Sequence, residues 1–407
     1  MFNLLRFRVC HKLLAGPLLA SALVAAPALA GTYTTLYQFT GGSDGATPLG
    51  ALTYDHTGDL YGVTEQGDNL CPDGIDGIGC GTVYKLSPTG QQTTLVAFAG
   101  ASNGAFPRSP LTLVDHILYG GAYYGGANDD GVLFSVHTDG ANFKLLHTFD
   151  GSDGIGPDGP LIPGPAGAFY GITGAGGPRK HVQSGVLFEL MPDGAYIQLH
   201  DFTGGSDGGG PISLTIDASG TLYGSTHDGA SCTGERSCGV VFEYVPSTGT
   251  FTVLHQFLGA EGVAPLLGSI GPDGTLYGVT ELGTGGINIG TLFELTPAGG
   301  AYSLTTLFQF QNNGVASGPG CEPSGGPILT PQGALIGTTS ACQPALYRYK
   351  FNHMKVLYSF SGAAQPAPPI LDRGIIYGAS SVGGFDQCFI GGRPVGGGCG
   401  FLYSFVQ

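Results

Sequence analysis

One short signature, Leu-Tyr-Gly, recurs along this chain, and it restricts the fold more than any other feature. It stands at Leu60-Tyr61-Gly62, Leu118-Tyr119-Gly120, Phe169-Tyr170-Gly171, Leu222-Tyr223-Gly224 and Leu276-Tyr277-Gly278, with looser copies at Leu335-Ile336-Gly337 and Ile376-Tyr377-Gly378. A second signature, Gly-x-Leu/Val-Phe/Tyr-x-Leu, follows each copy, from Gly81–Leu86 through Gly131–Val136, Gly185–Leu190, Gly239–Tyr244 and Gly290–Leu295 to Gly400–Phe405; only Ala345–Tyr349 lacks its glycine. A third, Leu-x-x-Phe, runs from Leu36–Phe39 to Leu357–Phe360. It leads into a loop of the type Gly-x-x-Asp-Gly-x-x-Pro, as at Gly41–Pro48 and Gly204–Pro211, and then into a fourth apolar segment. Each unit thus holds four short β-type segments, bounded by the Gly, Pro, Asp and Asn of turns. The unit recurs at roughly 41 to 59 residues, the sequence period of a propeller blade. Helical solenoids need longer segments at a 3.6-residue period, and none is present.

The expected fold is therefore all-β, a seven-bladed propeller with four strands per blade. The segment after the Asp-Gly loop is assigned innermost, Leu-Tyr-Gly second, Gly-x-Leu-Phe third and Leu-x-x-Phe outermost. The chain opens on an outermost-type strand, Tyr33–Phe39, and closes on a third-type strand, Gly400–Phe405. The N-terminal strand should complete the last blade, which removes a bare sheet edge.

Composition enters where it excludes functions. The first thirty residues carry only Arg6, Arg8 and Lys12 as charges, then the apolar run Leu13–Ala28, then Ala28-Leu29-Ala30. This is the pattern of a secretory signal peptide cleaved after Ala30. Residues 31–407 are expected to form a single domain, secreted or periplasmic and monomeric. No later stretch reaches the roughly 18 apolar residues of a membrane span. Removing the leader takes three of the 14 basic residues and none of the 29 acidic ones, for a net charge of −18. Such a chain does not suit nucleic acid or anionic lipid.

Cys10 lies in the leader, and the eight remaining cysteines fall into near neighbours: Cys71 with Cys80, Cys232 with Cys238, Cys321 with Cys342, and Cys388 with Cys399. None has the spacing of a zinc site, and an even count in an exported chain points to disulfides.

These repeats resemble the choice-of-anchor tandem-repeat GloVer family of exported bacterial proteins. The resemblance rests on Leu-Tyr-Gly-Val-Thr, Gly-Thr-Leu-Phe-Glu-Leu and Leu-x-x-Phe-x-Gly-x-x-Asp-Gly, and covers residues 33 to 405. It implies an exported repeat protein and no particular reaction, so it transfers no functional residue. No anchor segment of the kind that distinguishes family members is evident.

Candidate chemistry is sparse. His147, His200 and His255 share one slot in three different units and read as packing residues. The loop residues Asp44, Asn103, Asp153, Asp207 and Glu261 read as turn formers, with Ca²⁺ as the lesser alternative and no other cofactor expected. The position after the Leu-Tyr-Gly strand varies most: Glu65, Tyr123, Gly174, His227, Glu281, Ser340 and Ser381. Varied residues on a shared scaffold are where binding sites are grafted. Glu65, Tyr123, His227 and Glu281 are the candidate binding residues, and Tyr123 with Tyr124 offers rings for sugars. The expected function is binding of a glycan or another exported protein. The alternative is a hydrolase or lyase acting on a carbohydrate or lactone, with Glu65, Glu281 and His227 at the channel mouth.

Overall fold

The four segments of the first complete unit form strands Ala46–Tyr54, Leu60–Gln66, Thr82–Leu86 and Gln92–Ala97, hydrogen-bonded antiparallel in chain order. The structure is a computed structural model and describes residues 31–67, 79–178, 184–229, 238–283, 289–311, 319–362, 364–384, 388–390, 393–395 and 397–407. Six further units repeat this sheet, giving seven blades in a ring, and residues 31–407 form one compact unit. In blades 3 and 6 the innermost strand is split, as Ile155–Pro157 with Ile162–Pro163 and Cys321–Pro323 with Ile328–Leu329. The expected strand order within a blade holds throughout.

Burial follows from this order. Middle strands are covered on both faces by the neighbouring blades, so Val186–Leu190 and Leu222–Asp228 are almost continuously buried. Such strands are apolar at successive positions rather than alternating. The outermost strand Thr32–Gln38 keeps mostly exposed or half-buried residues.

The ring closes as its sequence requires. Strand Thr32–Gln38 pairs antiparallel with Phe401–Val406, setting Tyr33 opposite Phe405, Thr35 opposite Tyr403 and Tyr37 opposite Leu402. The last blade is therefore built from Ile370–Asp372, Ile375–Ser380, Phe401–Val406 and the chain's own first strand.

The glycine of Leu-Tyr-Gly has a steric cause. A β-carbon on Gly171, Gly224 or Gly278 would lie 2.2 to 2.4 Å from the ring of Phe188, Phe242 or Phe293 on the adjoining third strand. Gly62, Gly337 and Gly378 relate in the same way to Tyr84, Tyr347 and Tyr403. The two signatures are thus halves of one contact, an aromatic ring laid across a bare backbone.

Blades are joined at two radii. Near the axis, hydroxyls bond across the gaps: Leu267 N–H donates to Ser213 Oγ at 3.0 Å, Leu329 N–H to Ser269 Oγ at 2.8 Å, and Thr53 Oγ1–H to the Leu111 carbonyl. At the circumference, His147 stacks on Tyr196 at 4.1 Å, His200 on Phe251 at 3.8 Å and Tyr358 on Tyr33 at 3.8 Å, each pair spanning two blades. The three histidines pack as expected, and each also meets a loop carboxylate: Asp153 at 2.7 Å, Asp207 at 3.3 Å and Glu261 at 3.1 Å.

Candidate functional site at the channel mouth

Strand order fixes which loops share a face. Connections between second and third strands, and those from one blade to the next, emerge on the same side of antiparallel sheets. The variable positions and the Asp-Gly loops therefore lie on one face.

At that face each blade begins with a proline, and in six of the seven a residue in an unusual conformation precedes it. Thr47, Phe106, Gly156, Gly210, Ala264 and Glu322 have φ between 52° and 64°. For a non-glycine this left-handed conformation costs about 1–2 kcal/mol. An inter-blade hydrogen bond accompanies it, from Thr47 N–H to Cys399 O at 2.8 Å, Phe106 to Cys80 at 2.9 Å, Gly156 to Asp130 at 2.9 Å and Gly210 to Ser184 at 2.8 Å. The variable residue of the second strand sits opposite: His227 falls between the pairs Gly209–Asp228 and Pro211–Thr226, and Glu281 between Val263–Leu282 and Pro265–Thr280. The residue after each proline forms a second varied set, Leu49, Arg108, Asp158, Ile212, Leu266, Ser324 and Ala367.

Blades 1 to 3 supply a charged wall. Glu65 Oε1 accepts from Arg108 Nε at 2.8 Å and Nη2 at 2.7 Å. The guanidinium lies 4.6 Å from the centre of the Tyr123 ring, and a β-carbon on Gly156 would come within 2.7 Å of that ring. Tyr124 meets Tyr123 and Phe106 edge-on. Tyr123 is thus packed into the wall by Arg108 and its neighbours, which leaves less of its ring to a ligand than its sequence position suggested. Burial pushes the Tyr123 hydroxyl above its ordinary range, with Asp158 adding to the shift.

Asp158 completes this group. Its side chain keeps an exposed surface yet is ringed by protein, as a group inside a channel mouth must be. Loss of hydration among these neighbours pushes its pKa up to about 6, with Arg108 pulling it down and Glu65 pushing it up. Neither Arg108 nor Asp158 falls in a recurring motif of the sequence. The readable signal was the varied residue after the proline that opens each blade.

On the far side of the ring, His227 Nδ1 lies 2.9 Å from Asp228 Oδ1. That hydrogen bond raises the imidazole pKa, burial opposes it, and the charges of Asp228 and Glu281 add to the rise. Glu281 also lines a cavity of about 370 Å³ shared with blades 6, 7 and 1. There Ser340 Oγ donates to the Glu322 carbonyl at 3.1 Å, and Ser381 N–H donates to the Gln365 carbonyl at 3.1 Å. Glu65 and Glu281 stand on blades 1 and 5, as far apart as a ring of seven permits, and each has its own neighbours.

The Asp-Gly loops use their carboxylates locally. Asp44 accepts from Thr40 N–H at 2.8 Å, Thr40 Oγ1 at 2.6 Å and Tyr37 Oη at 3.0 Å. Asn103 Oδ1 accepts from Ala99 N–H at 2.6 Å, and Asp207 Oδ2 from Thr203 N–H at 3.0 Å. Among the described residues no group of three or more His, Cys, Asp or Glu side chains is placed to hold a metal ion.

Disulfides join Cys321 to Cys342 and Cys388 to Cys399. Cys80 and Cys238 are also disulfide-bonded, while Cys71 and Cys232, their expected partners, lie outside the described residues. The Cys388–Cys399 bridge braces a hairpin, Cys388–Ile390 with Arg393–Val395, on the mouth face of the last blade.

The sequence model of the Gloeobacter/Verrucomicrobia repeat matches residues 23–183 and 167–390. The chain belongs to this repeat family. No curated protein sequence matches this Gloeobacter/Verrucomicrobia repeat protein. Among solved structures it is similar to a gluconolactonase of Xanthomonas campestris, at 13% identity over 92% of this chain and 89% of that one, with a TM-score of 0.44. A candidate 6-phosphogluconolactonase of Bacteroides uniformis is 15% identical over 75% and 83% of the two chains, with a TM-score of 0.48. A chain of a nidogen/laminin complex is 16% identical over 65% and 80%, with a TM-score of 0.42. Likenesses at this level say nothing about the activity of the repeat protein.

Proposed function

We propose that this propeller is an exported binding protein that takes a glycan or another exported protein at its channel mouth. The observation that carries the reading is that the varied polar residues of the mouth are each engaged by a neighbour of their own. Glu65 is held by Arg108, His227 by Asp228, and Glu281 lies across the ring. Polar groups already paired around a stiff rim suit recognition. Inter-blade bonds and disulfides preorganise that rim, which lowers the entropic cost of binding.

Export belongs to the same proposal. It rests on the leader-like residues 1–30, which lie outside the described residues, and on disulfides of the kind that persist in oxidising compartments. Among the described residues no helix is long and apolar enough to cross a membrane.

One observation favours the second reading, a hydrolase or lyase. Asp158, next to Arg108 and near Glu65, is an acid whose pKa of about 6 suits proton transfer close to neutrality. The test is a glycan array and capture from exported proteins with the purified chain, run beside a turnover screen on glycosides and lactones. Binding without turnover supports the first reading. Turnover abolished by Asp158→Asn replaces it with the second.

A further inference from the structure

The cavity between blades 5, 6, 7 and 1 has a chemical character of its own. Its polar lining consists of Glu281, Glu322, Ser324, Ser340, Ser381 and Gln365, and among the described residues no lysine, arginine or histidine lines it. Its remaining wall is apolar, with Leu49 and Leu266 from opposite sides of the ring. The left-handed backbone of Glu322, at φ 54°, holds its carbonyl where Ser340 bonds it. Ser381 Oγ stands 3.4 Å from Gln365 Oε1. The acceptors are thus tied to strand ends rather than to free loops.

Such a lining discriminates by charge and by donor number. An anion would meet the Glu281 carboxylate and, among the described residues, no cationic side chain. An ammonium group brings three N–H donors and a positive charge, and carboxylate, carbonyl and amide oxygens are its complements. The other side of the mouth does not compete for it, since Arg108 supplies a cation there. His227, on the neighbouring blade, is already bonded to Asp228. The apolar wall fits the C–H faces of a sugar ring, and the serine hydroxyls and glutamine amide fit its hydroxyls. The acidic surface of the whole chain attracts a cationic ligand from a distance.

We infer that this cavity takes a primary ammonium group carried on a hydroxylated ligand, the chemistry of an amino sugar. This deepens the proposal of binding at the channel mouth and rests on it. The ammonium sits against the Glu281 carboxylate and the Glu322 carbonyl, and the sugar face lies on Leu49 and Leu266.

The experiment is calorimetric titration of the full mature chain with a glucosamine tetramer, its fully N-acetylated counterpart, and cadaverine, which has the charge without the hydroxyls. The amine tetramer should bind at least about tenfold more tightly than the acetylated one, because acetylation removes both the charge and two donors. Cadaverine should bind more weakly than the amine tetramer. Raising salt should weaken the amine tetramer and leave the acetylated one little changed. Glu281→Gln should cost about tenfold for the amine tetramer, again the loss of one charged hydrogen bond, with an unaltered melting temperature. Equal affinity for the two tetramers, an unaltered Glu281→Gln variant, or no binding of either tetramer overturns the inference. If an array still shows other glycans bound and that binding is lost on Glu65→Ala, channel-mouth recognition stands and only the ammonium assignment falls.

Discussion

The ring of Pro107 occupies the space that a side chain on Gly81 would need: a β-carbon there would come 2.7 Å from Pro107 Cδ. The contact recurs at Gly131 with Pro157, Gly185 with Pro211, Gly239 with Pro265, Gly290 with Pro323 and Gly400 with Pro48. Each pair joins the third strand of one blade to the first residues of the next. The one interface whose third strand opens on Pro344 and Ala345 instead of glycine is followed by Gln365-Pro366, where the left-handed turn is missing. Glycine, proline and turn therefore form one inter-blade latch.

The latch predicts a difference between two glycine variants. Gly239 has φ 73° and a β-carbon there would fall 2.2 Å from the Thr226 carbonyl and 2.5 Å from Pro265. Gly299 has φ 61° with nothing within 4 Å. Gly299→Ala should cost only the backbone term, about 1 kcal/mol. Gly239→Ala should cost that plus an overpacking term of about 1–3 kcal/mol. Urea denaturation of both reports the gap, and equal losses would remove the latch from the account.

The third-strand tyrosines give a prediction of the opposite sign. The hydroxyls of Tyr347 and Tyr403 are buried without a hydrogen-bond partner among the described residues, while four other blades carry Phe134, Phe188, Phe242 and Phe293 in that slot. Burying an unsatisfied hydroxyl costs about 1–3 kcal/mol. Tyr347→Phe and Tyr403→Phe should therefore hold or raise the thermal midpoint. A fall by several degrees would show that these hydroxyls have partners that matter.

Asp158 makes stability depend on pH. Its folded pKa, about 6, lies above the ordinary carboxyl value of roughly 3.9. Below about pH 4 the group is protonated whether folded or not, and it takes nothing from stability. As pH rises through about 6 the folded chain must carry a crowded carboxylate, and stability falls. Asp158→Asn should raise the thermal midpoint at pH 8 and leave it unchanged near pH 4. The reverse pattern, a loss at pH 8, would mean that Arg108 holds the carboxylate more strongly than its crowding penalises it.

The ring, its strand order and its closure were legible because each repeat carries the same steric contacts. Leu-Tyr-Gly and Gly-x-Leu-Phe recur together because Gly171 and Phe188, or Gly224 and Phe242, are two sides of one contact. Closure followed from counting strands at the termini, and the Tyr33–Phe405 pair realises it. The mouth was only half legible. The varied positions after Leu-Tyr-Gly stood out against a constant scaffold and led to Glu65, His227 and Glu281. Arg108 and Asp158 stayed hidden because their importance comes from neighbours on other blades, Glu65 and Tyr123, with no local motif to mark it. The role of Tyr123 was hidden for the same reason. Its sequence position offered an open ring, and only the fold brings Arg108 onto it.

Recognition at the channel mouth is the centre of the account, and a glycan-array comparison tests it directly. Wild-type chain is set against a Glu65→Ala, His227→Ala, Glu281→Ala triple variant, with near-ultraviolet circular dichroism confirming the fold of each. These side chains sit at strand ends on the mouth face and support no inter-blade contact of the latch or the aromatic girdle, so the variant should stay folded with a small loss of stability as Arg108 loses its partner. The array signals of the wild type should disappear in the folded variant. An unchanged binding profile in the variant would contradict it and leave these three residues as solvated ends of strands.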